Sequence, residues 1–304
     1  LYKKKSYFKY LRNDCKNEVA IEIRKLKLYA SYVRHISKKL VKDIKRHYFL
    51  LYLQHNPTLS IDDIMNTQYP GVDVNYCSGT IVNDILLHIA VIWGEYLPLI
   101  KYLIRNGVNL NICDNNGNSP IHYIHDIEIL NELINAGANI NIQNKDGCTP
   151  LHVMARCNQT NMAIKLMEHL TVAEINMPTQ NGFTAFIHAS VSGNLHLITW
   201  ILEYGIDQQY TKIQIINTPT INGDTPLIWA AMSGHLFVCK YLLLHGANIN
   251  ALTNFQRNAL HWAIYSDKID VCIYLIQQGI NLNVQDNDGK TPSALALRFR
   301  RVQL

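Results

Sequence analysis

Along this chain the apolar residues gather into short clusters of helical period separated by polar turns, and the stretch from Asn222 to Asn250, NGDTPLIWAAMSGHLFVCKYLLLHGANIN, shows the unit most clearly. Thr225 stands where a helix N-cap is wanted, and Pro226 follows at the first helical position, where its missing N–H costs nothing. Leu227 to Met232 then predict one short helix. Ser233 and Gly234 interrupt it, and the run from His235 to His245 places Leu236, Val238, Cys239, Leu242 and Leu243 at helical spacing, so a second helix with one buried face is expected. Gly246 supplies a left-handed stop. Two helices this short cannot bury their apolar faces alone, so the unit must stack on copies of itself.

The copies are legible. With Thr225-Pro226 as marker, the equivalents are Ile85-Leu86, Ser119-Pro120, Thr149-Pro150, Thr184-Ala185, Asn258-Ala259 and Thr291-Pro292, at steps of 34, 30, 35, 41, 33 and 33 residues. TPLHVMA at 149–155 and GANIN at 137–141 and 246–250 resemble the ankyrin repeat, a pattern of about 33 residues with a turn glycine, T-P-L-H-x-A and a closing G-A-x-x-N. The resemblance covers about residues 80–304, roughly three quarters of the chain. It implies an all-α ankyrin-repeat solenoid of helix-turn-helix units with β-hairpin-like loops, about six repeats and a C-terminal half repeat. Residues 56–79 read as a degenerate capping repeat, since Gly71-Val72-Asp73-Val74-Asn75 resembles the repeat terminus and a terminal repeat must expose one face to water.

Charge changes the picture only at the front. Residues 1–50 hold 15 Lys or Arg against 4 Asp or Glu, whereas the remainder holds 13 against 19. Val19, Ile23, Leu26, Ala30, Val33, Leu40, Ile44, Tyr48 and Leu51 recur at intervals of three and four, which predicts a basic amphipathic helical segment over residues 1–55. Such a segment either caps the array or grips anionic lipid or nucleic acid. No zinc-finger spacing or RNA-binding motif accompanies it. The seven cysteines are scattered without metal-ligand spacing, which suits reduced thiols in the cytoplasm, or in a host cytosol for a pathogen's protein. No apolar run reaches 18 residues, and no secretory leader is visible. The first residue is Leu, which reads as a processed or truncated start.

Two repeats depart from the pattern. The second lacks about three residues, where HYIHDIEIL replaces a longer turn, so its first helix should be shortened or its turn tightened. The fourth carries about eight extra residues between Asp207 and Asn217, read as a long surface finger, since each doubling of a loop costs only about 0.6 kcal/mol.

Candidate chemistry is sparse. His88, His122, His152 and His261 share one place in the unit, and the resemblance implies that each imidazole bonds the motif's Thr hydroxyl and the neighbouring turn. His122 and His125 lack a third ligand at readable spacing. No nucleotide-binding, hydrolase, zinc-protease or kinase signature occurs, so no catalytic residue, metal or cofactor is assigned. The resemblance further implies recognition of another protein through a concave surface of hairpins and first helices, with no small-molecule substrate. Carried onto this chain, the surface positions give Trp93, Arg156, Phe183, Met232, Phe255, Arg257 and Tyr265 as the partner-binding set, Trp, Tyr and Arg being favoured hot spots. Cys157 would face the same groove. Arg257 and Tyr265 are expected at the surface, where substitution usually moves stability by no more than about 0.5 kcal/mol. Two other functions remain open: the targeting arm of a larger enzyme, and a membrane or nucleic-acid tether worked by residues 1–50.

Overall fold

The structure, a computed structural model, describes residues 87–88, 90–92, 94, 97–207 and 210–298. The basic segment, the degenerate repeat, Trp93 and Gln208 lie outside the described residues. Among the described residues there are helices and turns but no strand. The chain divides into two compact units, Leu1–Asn139 and Ile140–Leu304.

In the first unit, residues 87–92 include helical backbone with Leu87, His88, Ala90 and Val91 buried. Helix α1 (Leu97–Arg105) follows, and after a turn come a single 3-10 turn, Pro120–Tyr123, and α2 (Ile127–Asn135). The shortened second repeat is thus resolved as expected, and the cause is local. The Asp126 side chain accepts from the N–H groups of Glu128 and Ile129, capping α2 only three residues after Tyr123, so the preceding helix has no room for a second turn.

The second unit contains α3 (Pro150–Arg156), α4 (Thr160–Met167), α5 (Val172–Ile175), α6 (Ala185–Ser192), α7 (Leu195–Tyr204), α8 (Lys212–Asn217), α9 (Pro226–Ser233), α10 (Leu236–Leu244), α11 (Ala259–Tyr265), α12 (Ile269–Gln277) and α13 (Pro292–Arg298). The first helices α3, α6, α9, α11 and α13 pack on one another in that order, and the second helices α4, α7, α10 and α12 lie behind them. Ala189, Ala230 and Ala263 occupy one position in three successive first helices and are fully buried. A methyl there lets neighbouring helices approach closely.

Capping chemistry sets the boundaries. Thr225 Oγ1 accepts from the Ile228 N–H, Pro226 opens α9, and Gly234 closes it at φ +87°. Gly246 adopts φ +95°, the left-handed stop its place requires. Gln256 and Asp267, which stand where other repeats carry glycine, take φ +57° and +60°. The backbone there keeps the unit's geometry and bears the conformational cost of a side chain, about 1–2 kcal/mol.

The extra residues of the fourth repeat are not a projecting finger. They include α8, opened by a reciprocal capping box between Thr211 and Gln214, with Ile215 and Ile216 buried. Asn217 fastens it to the next repeat: its amide donates to the Gly246 carbonyl at 3.0 Å and its oxygen accepts from the Asn248 N–H at 2.7 Å. The preceding repeat does the same with α5, where Thr171 and Glu174 form the box and Asn176 donates to the Gly205 carbonyl at 2.6 Å. Burying two isoleucines outweighs keeping this segment solvated.

Candidate functional site

The second unit carries five tight turns ahead of its first helices, at 144–147, 179–182, 220–223, 253–256 and 286–289. Each is closed by two backbone hydrogen bonds; in the second, Thr179 N–H donates to Phe183 O and Gly182 N–H to Thr179 O. Successive turns are joined edge to edge. The N–H groups of Gln180, Ile221, Asn254 and Asn287 donate to the carbonyls of Asp146, Asn181, Asn222 and Phe255 at 2.9–3.1 Å. Side-chain amides reinforce this row, with Gln180 donating to Lys145 O, Asn254 to Ile221 O and Asn287 to Asn254 O. The contact is too close for a side chain at some tips: a Cβ on Gly147 would lie 2.7 Å from the Gln180 nitrogen.

Histidines tie this row to the helices. The Thr149 N–H donates to His152 Nδ1 at 3.1 Å, so the proton of the neutral ring sits on Nε2, which donates to Phe183 O at 3.1 Å. His261 repeats the arrangement between the Asn258 N–H and Lys290 O. In the first unit His88 reaches Asn118 O, and His122 takes the Ser119 N–H. Burial holds His261 below its ordinary pKa, against opposing contributions from the Lys290 carbonyl and Asp286. His88, His152 and His261 are struts between repeats, and among the described residues no group of three His, Cys, Asp or Glu could hold a metal.

One position past this histidine, four residues after the cap, the first helices carry Tyr123, His188, Trp229 and Trp262. Phe183 lies over that row in the second unit: its ring stacks on His188 at 5.1 Å and meets Trp229 at 5.1 Å. His152 approaches His188 edge-on at 5.8 Å. Burial keeps His188 far below its ordinary pKa, and the charges of His152 and Arg156 push the same way.

At the far end of the unit Arg257 is the centre. Its guanidinium lies 4.8 Å from the Tyr265 ring centroid, 5.5 Å from Trp262 and 5.8 Å from Phe255. Nε donates to Asp286 Oδ2 at 2.9 Å, a second nitrogen lies 2.9 Å from the same oxygen, and Asp288 stands at 3.5 Å. The Arg257 side chain is 15% exposed and that of Asp286 is 0%. Arg257 is therefore a half-buried link between two turns and not the surface side chain expected from the sequence. Burial alone would raise the Asp286 pKa, but the Lys290 N–H and Arg257 outweigh it and hold the carboxyl below its ordinary value.

The expected partner-binding residues fall into groups. Phe255, Arg257 and Tyr265 come together, with Phe255 38% exposed and Tyr265 half-buried. Phe183 and Met232 are buried, Phe183 against the next repeat. Arg156 is half-buried at the end of α3, its charge acting on His188 and Cys148; Cys157, half-buried, caps the same helix. His188, Trp229, Trp262 and Asp286 were not singled out from the sequence, although a shared offset from the cap marks the first three.

The family description "Ankyrin repeats (3 copies)" matches residues 123–212 and 209–286, and "Ankyrin repeats (many copies)" matches residues 87–123. Comparison with curated proteins gives no match.

Proposed function

Since the chain belongs to the ankyrin-repeat family, whose repeats are generally protein-interaction modules, we propose that it recognises another protein along the turns and first helices of its second unit. The observation that carries this reading is the cluster of Phe255, Arg257, Trp262 and Tyr265 beside the joined turns. Aromatic side chains fixed around an arginine are the groups that dominate protein interfaces. The bonded row of turns supports it further, because a surface already ordered loses little entropy on binding. Arg156 extends the proposed set within this unit, with Phe183 and Met232 forming the packed support beneath, and Trp93 is proposed separately as a contact residue of the first unit. The mechanism is recognition without catalysis. A reducing setting such as the cytoplasm fits the absence of any disulfide among the five described cysteines, and among the described residues no helix is long and apolar enough to cross a membrane.

The test is affinity capture with the full chain, followed by calorimetric titration of the captured partner. Tyr265→Ala and Phe255→Ala should each weaken binding at least about fivefold, which is about 1 kcal/mol, with the melting temperature held. Normal binding by both well-folded variants would remove this end of the unit from the interface.

A further inference from the structure

We propose that the face of the second unit formed by α7, α10 and α12, behind the first helices, is a second docking surface, and that it takes an amphipathic helix of another protein bearing a carboxylate within its apolar stripe. Solvated helix faces are normally dressed with charge. Here α10 reads LFVCKYLLL, and its only charged residue is Lys240. Phe237 and Leu244 lie three and four residues to either side of it and are 74% and 82% exposed. On the adjacent α12, Ile273 is exposed as well, and on α7 Tyr204 is exposed and stacked on Trp200 with centroids 4.0 Å apart. The core cannot account for these side chains, because the buried stripe of α10 is already supplied by Val238, Cys239 and Leu242.

Lys240 decides the occupant. Its ammonium lies 5.8 Å from the Phe237 ring centroid and 5.4 Å from that of Tyr274, so it spans from α10 to α12. Among the described residues no carboxylate pairs with it. A cation held over aromatic rings and ringed by exposed apolar groups is complementary to a carboxylate arriving on an apolar helix, whose i, i+3, i+4 and i+7 positions would fill the groove. A second copy related by a two-fold axis through the middle of this face would set Lys240 against Lys240, and like charges there oppose pairing. An anionic membrane calls for several cations, whereas these helices carry a single lysine and two exposed acids, Glu203 and Asp270.

The test selects a phage-displayed library of helical peptides on the full chain. The enriched peptides are then measured by fluorescence anisotropy against the wild type and a Phe237→Ser/Leu244→Ser variant. Both positions are exposed, so the variant should keep its melting temperature. The expected result is an acidic residue within the apolar stripe, at least tenfold weaker binding to the double variant, and no change with Tyr265→Ala. Lys240→Glu should lose the peptide and recover it when the peptide's Glu is changed to Lys. Peptides that bind the double variant equally, or that ignore the charge swap, would overturn the proposal. So would sedimentation of the wild type alone as a dimer, or its binding to phosphatidylserine vesicles with loss of both in the double variant.

Discussion

Replacing Arg257 by alanine tests whether this side chain is a structural link as well as part of a recognition surface. The change removes two contacts of 2.9 Å to Asp286 Oδ2, on an aspartate whose side chain has no exposure. Asp286 Oδ1 keeps its bonds from the Asp288 and Lys290 N–H groups, at 3.0 and 2.9 Å, so the carboxylate is left half-satisfied rather than bare. Hydrogen bonds to charged groups contribute about 1.5–3 kcal/mol, and leaving a fully buried partner charge uncompensated costs about 3–5 kcal/mol. With Asp288 near the solvent and two N–H donors retained, about 2–3 kcal/mol is expected, a fall of about 5–10 °C in the unit's melting temperature. Urea unfolding of the wild type, Arg257→Ala, Asp286→Asn and the double variant measures it. The two single changes should be strongly non-additive. The linkage has a definite sign: the folded Asp286 pKa lies below its unfolded value of about 3.9, so its contribution is present above that pH and lost as pH falls through the folded value. Arg257→Ala should therefore narrow the stability gap between pH 7 and pH 3. A loss under about 0.5 kcal/mol with simple additivity would refute the reasoning.

Three further outcomes follow from the same geometry. Gly147→Ala should destabilise by more than Gly289→Ala in thermal melts, because both have positive φ but only the first places a Cβ against the next turn, while Gln256→Gly should stabilise by about 1 kcal/mol. His188 is held neutral by burial, so the wild type should lose stability as pH falls below the unfolded value of about 6.5, at up to about 1.4 kcal/mol per pH unit, and a His188→Gln variant should lose less over pH 7.5–5.5. In native alkylation followed by mass spectrometry, Cys113, which is exposed, should react well before Cys239, whose thiol burial pushes up to about 12; equal rates would contradict the burial of α10.

The repeat register was readable because each unit writes its own boundaries: the Thr-Pro start, the helical period and the glycine stop reproduce α9, α10 and the turn at Gly246 within a residue or so. The shortened second repeat was equally visible, since missing residues leave nowhere for a full turn. The insertion reads by its length as a projecting finger, yet it also carries the signals of the packed helix that forms, a T-x-x-Q capping box and the apolar pair Ile215-Ile216. The site was less legible. Surface positions carried over from the repeat pattern found Phe255, Arg257 and Tyr265, but an ion pair such as Arg257–Asp286 joins residues 29 apart through tertiary packing, and no local pattern encodes it. Trp229 and Trp262 carry no local mark beyond their shared offset from the cap, and it is Phe183 and Arg257, contributed by the turns, that lie against them.

The central claim, that a protein partner is read by the turns and first helices of the second unit, is tested most directly by hydroxyl-radical footprinting of the full chain with and without its captured partner. Protection of Phe255 and Tyr265 on binding, with Tyr204, Phe237 and Leu244 reacting as before, is the predicted result. A footprint that leaves Phe255 and Tyr265 unchanged while shielding other parts of the chain would contradict it.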